Sequence, residues 1–529
     1  MSSCGNPNVD SDALMTRRQK YDGKTKVCVK CKERIGNIVI RYAVYCKTCF
    51  FPLIQTRFKK SLEPSINPVA DGTRRKALKA GGSLVVAFSG GTGSTALLDL
   101  VAKIYFPVRH NGETLKGGKD HPRNADKGVW KGKPVVCYVE VCGAFPGEKD
   151  RTEEIREIVQ SYPGQPFEFV VLRLENCFDP EWWSKVGEGE LVSSARSLGL
   201  DMTDEELRLT EGSSSSSNDL PINRLKAYLS SLPTQTAFQS AIQILVRLLL
   251  LHTAASRKAS HLLLGTSLTS LSVNLISGIS QGAGFSVVEE AKEEWHPRPE
   301  RGMPVRVIRP LRGIGMKECA IWDWWCGLRV AGQTRQFNGS GKHTIGALTR
   351  DFIFGLEADY PATVSTIART CAKLSPKHGS DGNCVLCERP AQDGVQAWKS
   401  RISICSYSEA SPAVSGNTRP SHLTEEEISN LTKPSVSSIP AASSLTPHLC
   451  YACHTLLTSR SSRGTSAPLP PGQAAGNISL PVWVNATLAA SRSPGDDEDL
   501  TLDEDVIQTI KMSRADMKSQ ISEFLLPDD

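Results

Sequence analysis

Ser83-Leu-Val-Val-Ala-Phe-Ser-Gly-Gly-Thr-Gly-Ser-Thr-Ala-Leu-Leu-Asp-Leu-Val-Ala-Lys103 decides the fold. Residues 84–88 are an apolar, β-branched run of strand length. Residues 89–94 are a turn: Ser89 and Ser94 bring hydroxyls, and Gly90, Gly91 and Gly93 bring bare backbone. A helical pattern follows at once. That order sets backbone N–H groups and two hydroxyls at a helix N-terminus, where the dipole favours an anion. The loop is a phosphate cradle at the end of a parallel strand. It is not a Walker loop, because no Lys-Ser/Thr pair closes it.

Outward from that loop the pattern alternates. Residues 135–141, 167–174, 261–265 and 305–311 read as further strands, each rich in Val, Leu or aromatics. Residues 148–160, 234–258, 266–279 and 316–328 carry helical spacing, the last rich in Trp. Strands alternating with helices imply crossover connections, hence an α/β fold: a parallel sheet with helices on both faces.

A chain of 529 residues is long enough for more than one domain. Residues 1–20 read as a flexible N-terminus, 21–60 as a small cysteine module, and 74–374 as the α/β domain with surface insertions near 107–133 and 185–219. Residues 375–460 read as a C-terminal cysteine module with a disordered Ser/Pro-rich insertion at 405–444. A Ser/Pro-rich linker, an acidic run and a terminal amphipathic helix at 506–526 fill 461–529. The first residues lack a basic-then-apolar leader. The most apolar helix candidate, 242–251, is interrupted by Gln243 and Arg247 and is short for a bilayer. A soluble cytoplasmic protein with no membrane partner is expected.

Two C-x2-C pairs, Cys28/Cys31 and Cys46/Cys49, suit a tetrahedral Cys4 site built from two knuckles. Two more, Cys384/Cys387 and Cys450/Cys453, suit a second site across the Ser/Pro-rich segment, because loop closure costs only slowly more as a loop lengthens. Thiolates select zinc or an iron–sulfur centre over hard cations, and four protein ligands make both sites structural, with zinc the expected ion. His454 reads as a solvent-exposed neighbour, with ligand substitution as the alternative. Cys137, Cys142, Cys319 and Cys326 read as core residues.

Lys and Arg number 62 against 56 Asp and Glu, a formal charge of +6, so a nucleic-acid partner has to be argued from charge distribution. Cations cluster at Lys24, Lys26, Lys30, Lys32 and Arg34, at Arg57, Lys59, Lys60, Arg74, Arg75 and Lys76, and through the first insertion, including Arg109, Lys116, Lys119, Arg123, Lys127, Lys131 and Lys133. Such clusters neutralise phosphates. The bland alternative is a solvated lysine face.

Ser-Gly-Gly-Thr-Gly-Ser resembles the S-G-G-x-D-S loop of the PP-loop ATP pyrophosphatases, whose fold is adenine nucleotide alpha hydrolase-like. Those enzymes split ATP to AMP and pyrophosphate and activate a carbonyl oxygen as its adenylate. The resemblance makes Ser89, Gly90, Gly91, Gly93 and Ser94 a degenerate nucleotide-phosphate loop. Its acidic position is Gly93, and the missing carboxylate weighs against ATP although the turn remains. Gly265 and Thr266, within His-Leu-Leu-Leu-Gly-Thr-Ser at 261–267, resemble the second nucleotide motif. Active members follow it with acids, whereas this chain has Leu268, Thr269, Ser270 and Leu271. Arg309-Pro310-Leu311, with Lys317 and Glu318 after it, resembles the R-P-L strand and helix of tRNA-thiolating members. Their C-x-x-C pair has no counterpart at Pro233-Thr234-Gln235-Thr236.

The combination resembles the cytoplasmic tRNA 2-thiolation protein 2 family. It rests on the double C-x2-C, the degenerate loop, the R-P-L segment, Phe352-Ile-Phe-Gly-Leu-Glu357 running into Pro361-Ala-Thr-Val-Ser-Thr-Ile-Ala-Arg-Thr370, Lys373-Leu374, and the late paired cysteines. The resemblance implies a paralogous catalytic mate in a heterodimer. Together they would replace the C2 oxygen of the wobble uridine by sulfur, installing the 2-thio group of 5-methoxycarbonylmethyl-2-thiouridine in tRNAs for Lys, Glu and Gln, with the sulfur from a thiocarboxylated ubiquitin-like carrier. The chain itself would carry no catalytic residue, and Arg74, Arg75, Lys76, Lys116, Lys119 and Lys131 are its candidates for tRNA contact. Two alternatives stand beside this: a self-sufficient ATP-dependent adenylating enzyme, and a zinc-ribbon scaffold that binds RNA or protein without using its cleft.

Overall fold

Two short antiparallel strands, β1 (Ile38–Ile40) and β2 (Ala43–Tyr45), carry the chain from the first cysteine pair into helix α1 (Lys47–Ile66). The computed structural model describes residues 26–66, 78–107, 129–145, 147–186, 200–201, 220–291, 293–296, 304–331, 344–374, 382–392, 395, 443–444, 448–458 and 480–484. Helix α1 buries Phe50, Ile54, Phe58, Leu62 and Ile66, one apolar stripe at helical spacing. That stripe runs beyond residue 60 and packs the cysteine module onto the α/β body: Phe50 meets Trp325 edge-on at 5.0 Å.

The central sheet has β3 (Ser83–Ala87), β4 (Val135–Glu140), β5 (Glu168–Arg173), β6 (Ala259–Leu263), β7 (Glu293–Trp295) and β8 (Val305–Ile308). Their spatial order is β5-β4-β3-β6-β8-β7. All neighbours pair in parallel except β7, which runs antiparallel on the edge beside β8. The order reverses between β3 and β6, and the C-terminal ends of those two strands flank the crevice where open α/β sheets hold ligands. The sheet also carries the alternation expected of a strand covered on both faces. Val85, Val135, Cys137, Leu172 and Leu262 enter one core, while Leu84, Val86, Val136, Tyr138 and Leu263 enter the other.

Helix α2 (Thr92–Tyr105) follows the β3 loop, and α3 (Thr152–Gln160) follows β4. On the opposite face lie α4 (Pro180–Val186), α5 (Pro221–Ser231) and the long α6 (Gln235–Ser256). Then come α7 (Leu268–Ser280), α8 (Met316–Cys326), α9 (Ile345–Asp359), α10 (Pro361–Cys371) and α11 (Tyr451–Thr458). A third core joins Leu271 and Leu275 of α7 to Ile353 of α9 and Val364 of α10.

Several expectations shift. Arg309-Pro310-Leu311 lies beyond the end of β8, because Pro310 has no N–H for a ladder. Helix α3 starts at Thr152, where Asp150 accepts from the Thr152 N–H at 2.8 Å, four residues after the expected start. The first insertion ends in the core: Trp130 is buried, stands edge-on to Tyr105 at 5.2 Å and donates to His261 Nδ1 at 3.3 Å. Within the two Ser-rich segments, Leu200–Asp201 and Ser443–Ser444 pair as parallel backbone. Within the expected C-terminal linker, Trp483 is buried and donates from Nε1 to the Leu386 carbonyl at 3.2 Å. Helix α6 occupies the expected 234–258 stretch to within two residues. Its best 18-residue window has a mean hydropathy of 1.3, and 61% of that window is buried inside the fold. Among the described residues it is the one helix that meets a membrane span by length and composition. The terminal helix near 506–526 and the acidic run lie outside the described residues.

Candidate phosphate loop and metal centres

At the end of β3 the turn is already satisfied by its own atoms. Ser94 Oγ donates to the Gly91 carbonyl at 2.8 Å, accepts from the Ser89 N–H at 3.3 Å, and lies 3.2 Å from Ser89 Oγ. Gly90 takes φ +75°, a conformation that costs a side chain-bearing residue energy. The Gly90 carbonyl accepts from the Ala331 N–H at 3.0 Å, so the strap after α8 crosses the loop.

The second motif closes on the first. Gly265 stands just past β6, and a Cβ built on it would lie 2.6 Å from both the nitrogen and Cα of Ser94. A Cβ on Gly93 would overlap the Gly265 carbonyl oxygen. The missing acid at 93 is therefore more than a lost charge: the neighbouring backbone fills the space a side chain would need. Ser267, next to Thr266, caps α7 by accepting from the Ser270 N–H at 3.2 Å. The carboxylate at the end of β4 is occupied too. Glu140, buried, accepts from the N–H groups of Val141 (2.8 Å), Cys142 (2.8 Å) and Arg151 (2.9 Å) and from the Tyr138 hydroxyl (2.7 Å).

The eight cysteines assemble as two clusters of four, with the sulfurs of each cluster within 4.8 Å of one another. Cys31 and Cys46, 15 positions apart, bring their sulfurs to 3.8 Å, and Cys387 and Cys450, 63 apart, do the same at 3.8 Å. A tetrahedron around a metal at about 2.3 Å from each sulfur has edges of about 3.8 Å. A disulfide would need about 2.05 Å. The donor set and its spacing fit a bound metal at each site.

The two modules share one construction. In each, the residue after the first pair takes a left-handed turn, Lys32 (φ 58°) and Glu388 (φ 53°), and its N–H donates back to the first cysteine carbonyl, Cys28 or Cys384, at 2.8 and 2.7 Å. The second pair sits at the start of a helix, α1 or α11, where N–H groups favour thiolate. Burial works to raise the Cys28 thiol, but hydrogen bonds from the backbone of Cys31, Cys46 and Lys30 outweigh it and bring it down to about 6. Burial and the neighbouring thiols push Cys49 up to about 12. Four thiols this close ionise together only around a cation.

His454 is buried, not solvent-exposed, with Thr458 Oγ1 3.5 Å from its Nδ1; the second cluster gathers the four cysteine sulfurs without its ring. Cys137 and Cys319 are core residues as expected, but Cys142 and Cys326 are only half-buried, and Lys103 Nζ donates to Cys326 Sγ at 3.3 Å. Of the polyanion candidates, Lys131 is exposed, while Arg74, Arg75, Lys76, Lys116 and Lys119 lie outside the described residues. Lys26, Lys30, Lys32 and Arg34 are exposed around the first cluster. Arg57 is not free for phosphate: it pairs with Glu318 at 3.2 Å.

Sequence reasoning missed a largely buried ion network that clamps the C-terminal cluster to the sheet. Glu290 accepts from Arg389 at 2.5 Å and from Arg309 at 3.3 Å, and Arg247 pairs with Glu293 while donating to the Cys387 carbonyl at 2.8 Å. Burial drives Arg247 down to about 9. Burial also acts to raise Glu290, yet Arg389 and Arg309 overcome it and hold the carboxyl near 2. The signal was present: Arg247 interrupts an apolar helix face.

A family model for cytoplasmic tRNA 2-thiolation protein 2 matches residues 344–455, spanning α9, α10 and most of the second cysteine module. Cytoplasmic tRNA 2-thiolation protein 2-B of Xenopus laevis is 25% identical over 405 residues, covering 69% of this chain and 72% of its own. Cytoplasmic tRNA 2-thiolation protein 2 of Danio rerio is 25% identical over 397 residues (69% and 71%), and that of Coccidioides immitis (strain RS) 24% over 378 (70% and 89%). Among solved structures, a U34-tRNA thiolase from Methanococcus maripaludis with its 4Fe–4S cluster aligns at 15% identity and a TM-score of 0.40, covering 66% of this chain and 88% of its own. With a family model on residues 344–455 and relatives of one name along about two thirds of its length, the chain is similar to the cytoplasmic tRNA 2-thiolation protein 2 family.

Proposed function

We propose that this chain is the non-catalytic subunit of a cytoplasmic heterodimer that thiolates the wobble uridine of tRNA for Lys, Glu and Gln. Its mate would adenylate C2 of the uridine and deliver sulfur from a thiocarboxylated ubiquitin-like carrier. This subunit would hold tRNA and complete the assembly on a degenerate PP-loop scaffold. The observation that carries the reading is the closure of the cradle. Gly265 stands against Ser94, side-chain room at 93 is taken, and both loop serines bond to each other. A site that must wrap ATP and magnesium needs those atoms turned outward.

The all-sulfur donor sets and their tetrahedral spacing support zinc at both cysteine clusters. These ions would hold structure, since four protein ligands leave no open position. The RNA face would lie at the first cluster. Residues 26–47 include six cations, Lys26, Lys30, Lys32, Arg34, Arg41 and Lys47, against Glu33 alone.

ATP–pyrophosphate exchange and tRNA thiolation, each measured with this chain alone, with its mate alone and with both, test the reading. Exchange is expected only where the mate is present, and full thiolation only with both. Exchange catalysed by this chain alone would defeat the proposal.

A further inference from the structure

A cavity of about 430 Å³ opens between α6, α7, the first turn of α9 and the C-terminal cysteine module. That volume suits a small molecule. None of the residues 89–94 or 264–267 lines it, so it is separate from the cradle.

Its lining has a definite chemistry. Arg247, Arg389 and Arg350 line it together with Glu290, the single carboxylate among the described lining residues, and with Cys387, Cys450 and Cys453 of the second cluster. Arg247 and Arg389 are fixed in the ion network on one side, and Arg350 is exposed on α9. The carboxamides of Gln243, one turn before Arg247 on α6, and of Asn274 on α7 also line it, both exposed. Among the described residues, none of the Gln243, Asn274 and Arg350 side chains is held by another group. A third carboxamide is anchored as wall: Gln281 accepts from Ser240 Oγ at 2.6 Å and donates to Ser277 Oγ at 2.8 Å. Ile244, Val273 and Leu456 add apolar surface between these polar groups. The frame is preset, since the Ile345 N–H at the start of α9 donates to Thr236 Oγ1 of α6 at 3.3 Å.

Each feature selects part of a ligand. Arg350, whose guanidinium has no partner among the described residues, calls for an anion, and Arg suits phosphate because its planar fork meets two oxygens. Free carboxamides present a donor and an acceptor together, which matches the edge of a heterocycle. Apolar patches beside them match its face. We propose that this cavity binds a phosphate-bearing nucleotide unit, with Arg350 on the phosphate and Gln243 and Asn274 on the base edge. The unit is either a free mononucleotide or a nucleotide of bound tRNA.

Calorimetric titration of the full chain with AMP, UMP, CMP and GMP, and with the matching nucleosides, tests this. At least one mononucleotide is expected to bind, with its nucleoside weaker by roughly tenfold or more. Arg350→Ala and Gln243→Leu should each weaken it by roughly tenfold, and Arg350→Lys by less. Both residues are exposed, so unchanged circular dichroism is the check on folding. Photo-crosslinking with an azido analogue of the tightest mononucleotide should label residues 273–290 or 345–350. Competing tRNA that displaces the nucleotide identifies RNA as the source, and tRNA that binds alongside it identifies the free nucleotide. Failure of all four mononucleotides to bind, or equal affinity for nucleotide and nucleoside, overturns the cavity proposal while leaving the closed cradle intact. Labelling at 88–94 or 264–267 overturns it and the closed-cradle reading together.

Discussion

Gly265 and Ser94 touch backbone to backbone: a methyl group on Gly265 would stand 2.6 Å from the Ser94 nitrogen and Cα. Their contact joins the two loops that flank the switch point of the sheet. It makes the end of the β3 loop a packed junction. Gly265→Ala must push the loops apart, and overpacking of this kind costs about 1–3 kcal/mol. Urea unfolding should show a lower midpoint at an unchanged slope. Gly93→Asp, which rebuilds the acidic position of the loop, should be destabilised at least as much and should gain no ATP–pyrophosphate exchange. A Gly93→Asp chain that stays fully stable and turns over ATP would mean that the junction opens readily.

The two cysteine clusters predict two tightly held metal ions per chain. Elemental analysis should find zinc at about two equivalents, following the one-ion-per-Cys4 rule. Cys28→Ser with Cys31→Ser should leave about one, by the same rule. Loss of the first ion should loosen the start of α1, since Cys46 and Cys49 sit there, but Phe50 and Phe58 keep the rest of α1 in the main core. Loss of the second, through Cys450→Ser, should reach further. Cys384, Cys387, Cys450 and Cys453 belong to the same core as Leu245 and Leu249 of α6. Hydrogen exchange of α6 amides should therefore accelerate in Cys450→Ser and not in the Cys28/Cys31 variant. A metal content unchanged in both variants would falsify the two-site assignment.

How far the sequence carries depends on how local the cause is. The β3–loop–α2 unit is legible because period-two burial, turn glycines and a helical face all fall within one short stretch. The Cys4 sites are legible because knuckle geometry is written in the C-x2-C spacing. Edge strand β7 is not, because three residues offer no period, and its pairing partner β8 decides it. Arg247 is the sharper case. Taken alone, a cation in an apolar run argues against a membrane span. In the fold it reaches Glu293, 46 positions away, and the Cys387 carbonyl, 140 away, and becomes a clamp. Trp483 was lost inside a Ser/Pro-rich composition that describes its neighbours, not itself.

Glu290 makes stability pH-dependent in a defined window. Its carboxyl titrates near 2 in the fold against an ordinary value of 4.5. A depressed acid contributes stability that is fully present above about pH 4.5 and is lost as the pH falls through about 2. The shift corresponds to about 3 kcal/mol. Glu290→Gln should therefore be less stable by about that amount at pH 7, since Arg309 and Arg389 keep their charge with a weaker partner. The gap between the two proteins should narrow below pH 4.5 and close near pH 2. Comparing the pair at each pH removes the separate effect of acid on the thiolates. A gap that stays constant down to pH 2 would place the stability elsewhere in the network.

Trp324 is 76% exposed, tilted against Trp325 at 6.4 Å, and Lys47 lies over the Trp325 ring at 5.8 Å. Burial cannot account for a tryptophan left this open, and Lys30, Lys32 and Arg34 stand on the same cysteine module that α1 packs against Trp325. An aromatic face beside cations is what unpaired bases stack on, worth about 1–3 kcal/mol per base. Trp324→Ala should weaken tRNA binding by that amount and leave the salt dependence of binding unchanged, because no phosphate contact is lost. Lys30→Ala and Lys32→Ala should do the reverse: a modest loss at fixed salt, with the slope of log affinity against log salt reduced by about 1 each. Thermal unfolding of Trp324→Ala should match the parent, since little surface is uncovered. If instead the variant melts early and binds tRNA normally, Trp324 serves packing and the RNA face lies elsewhere.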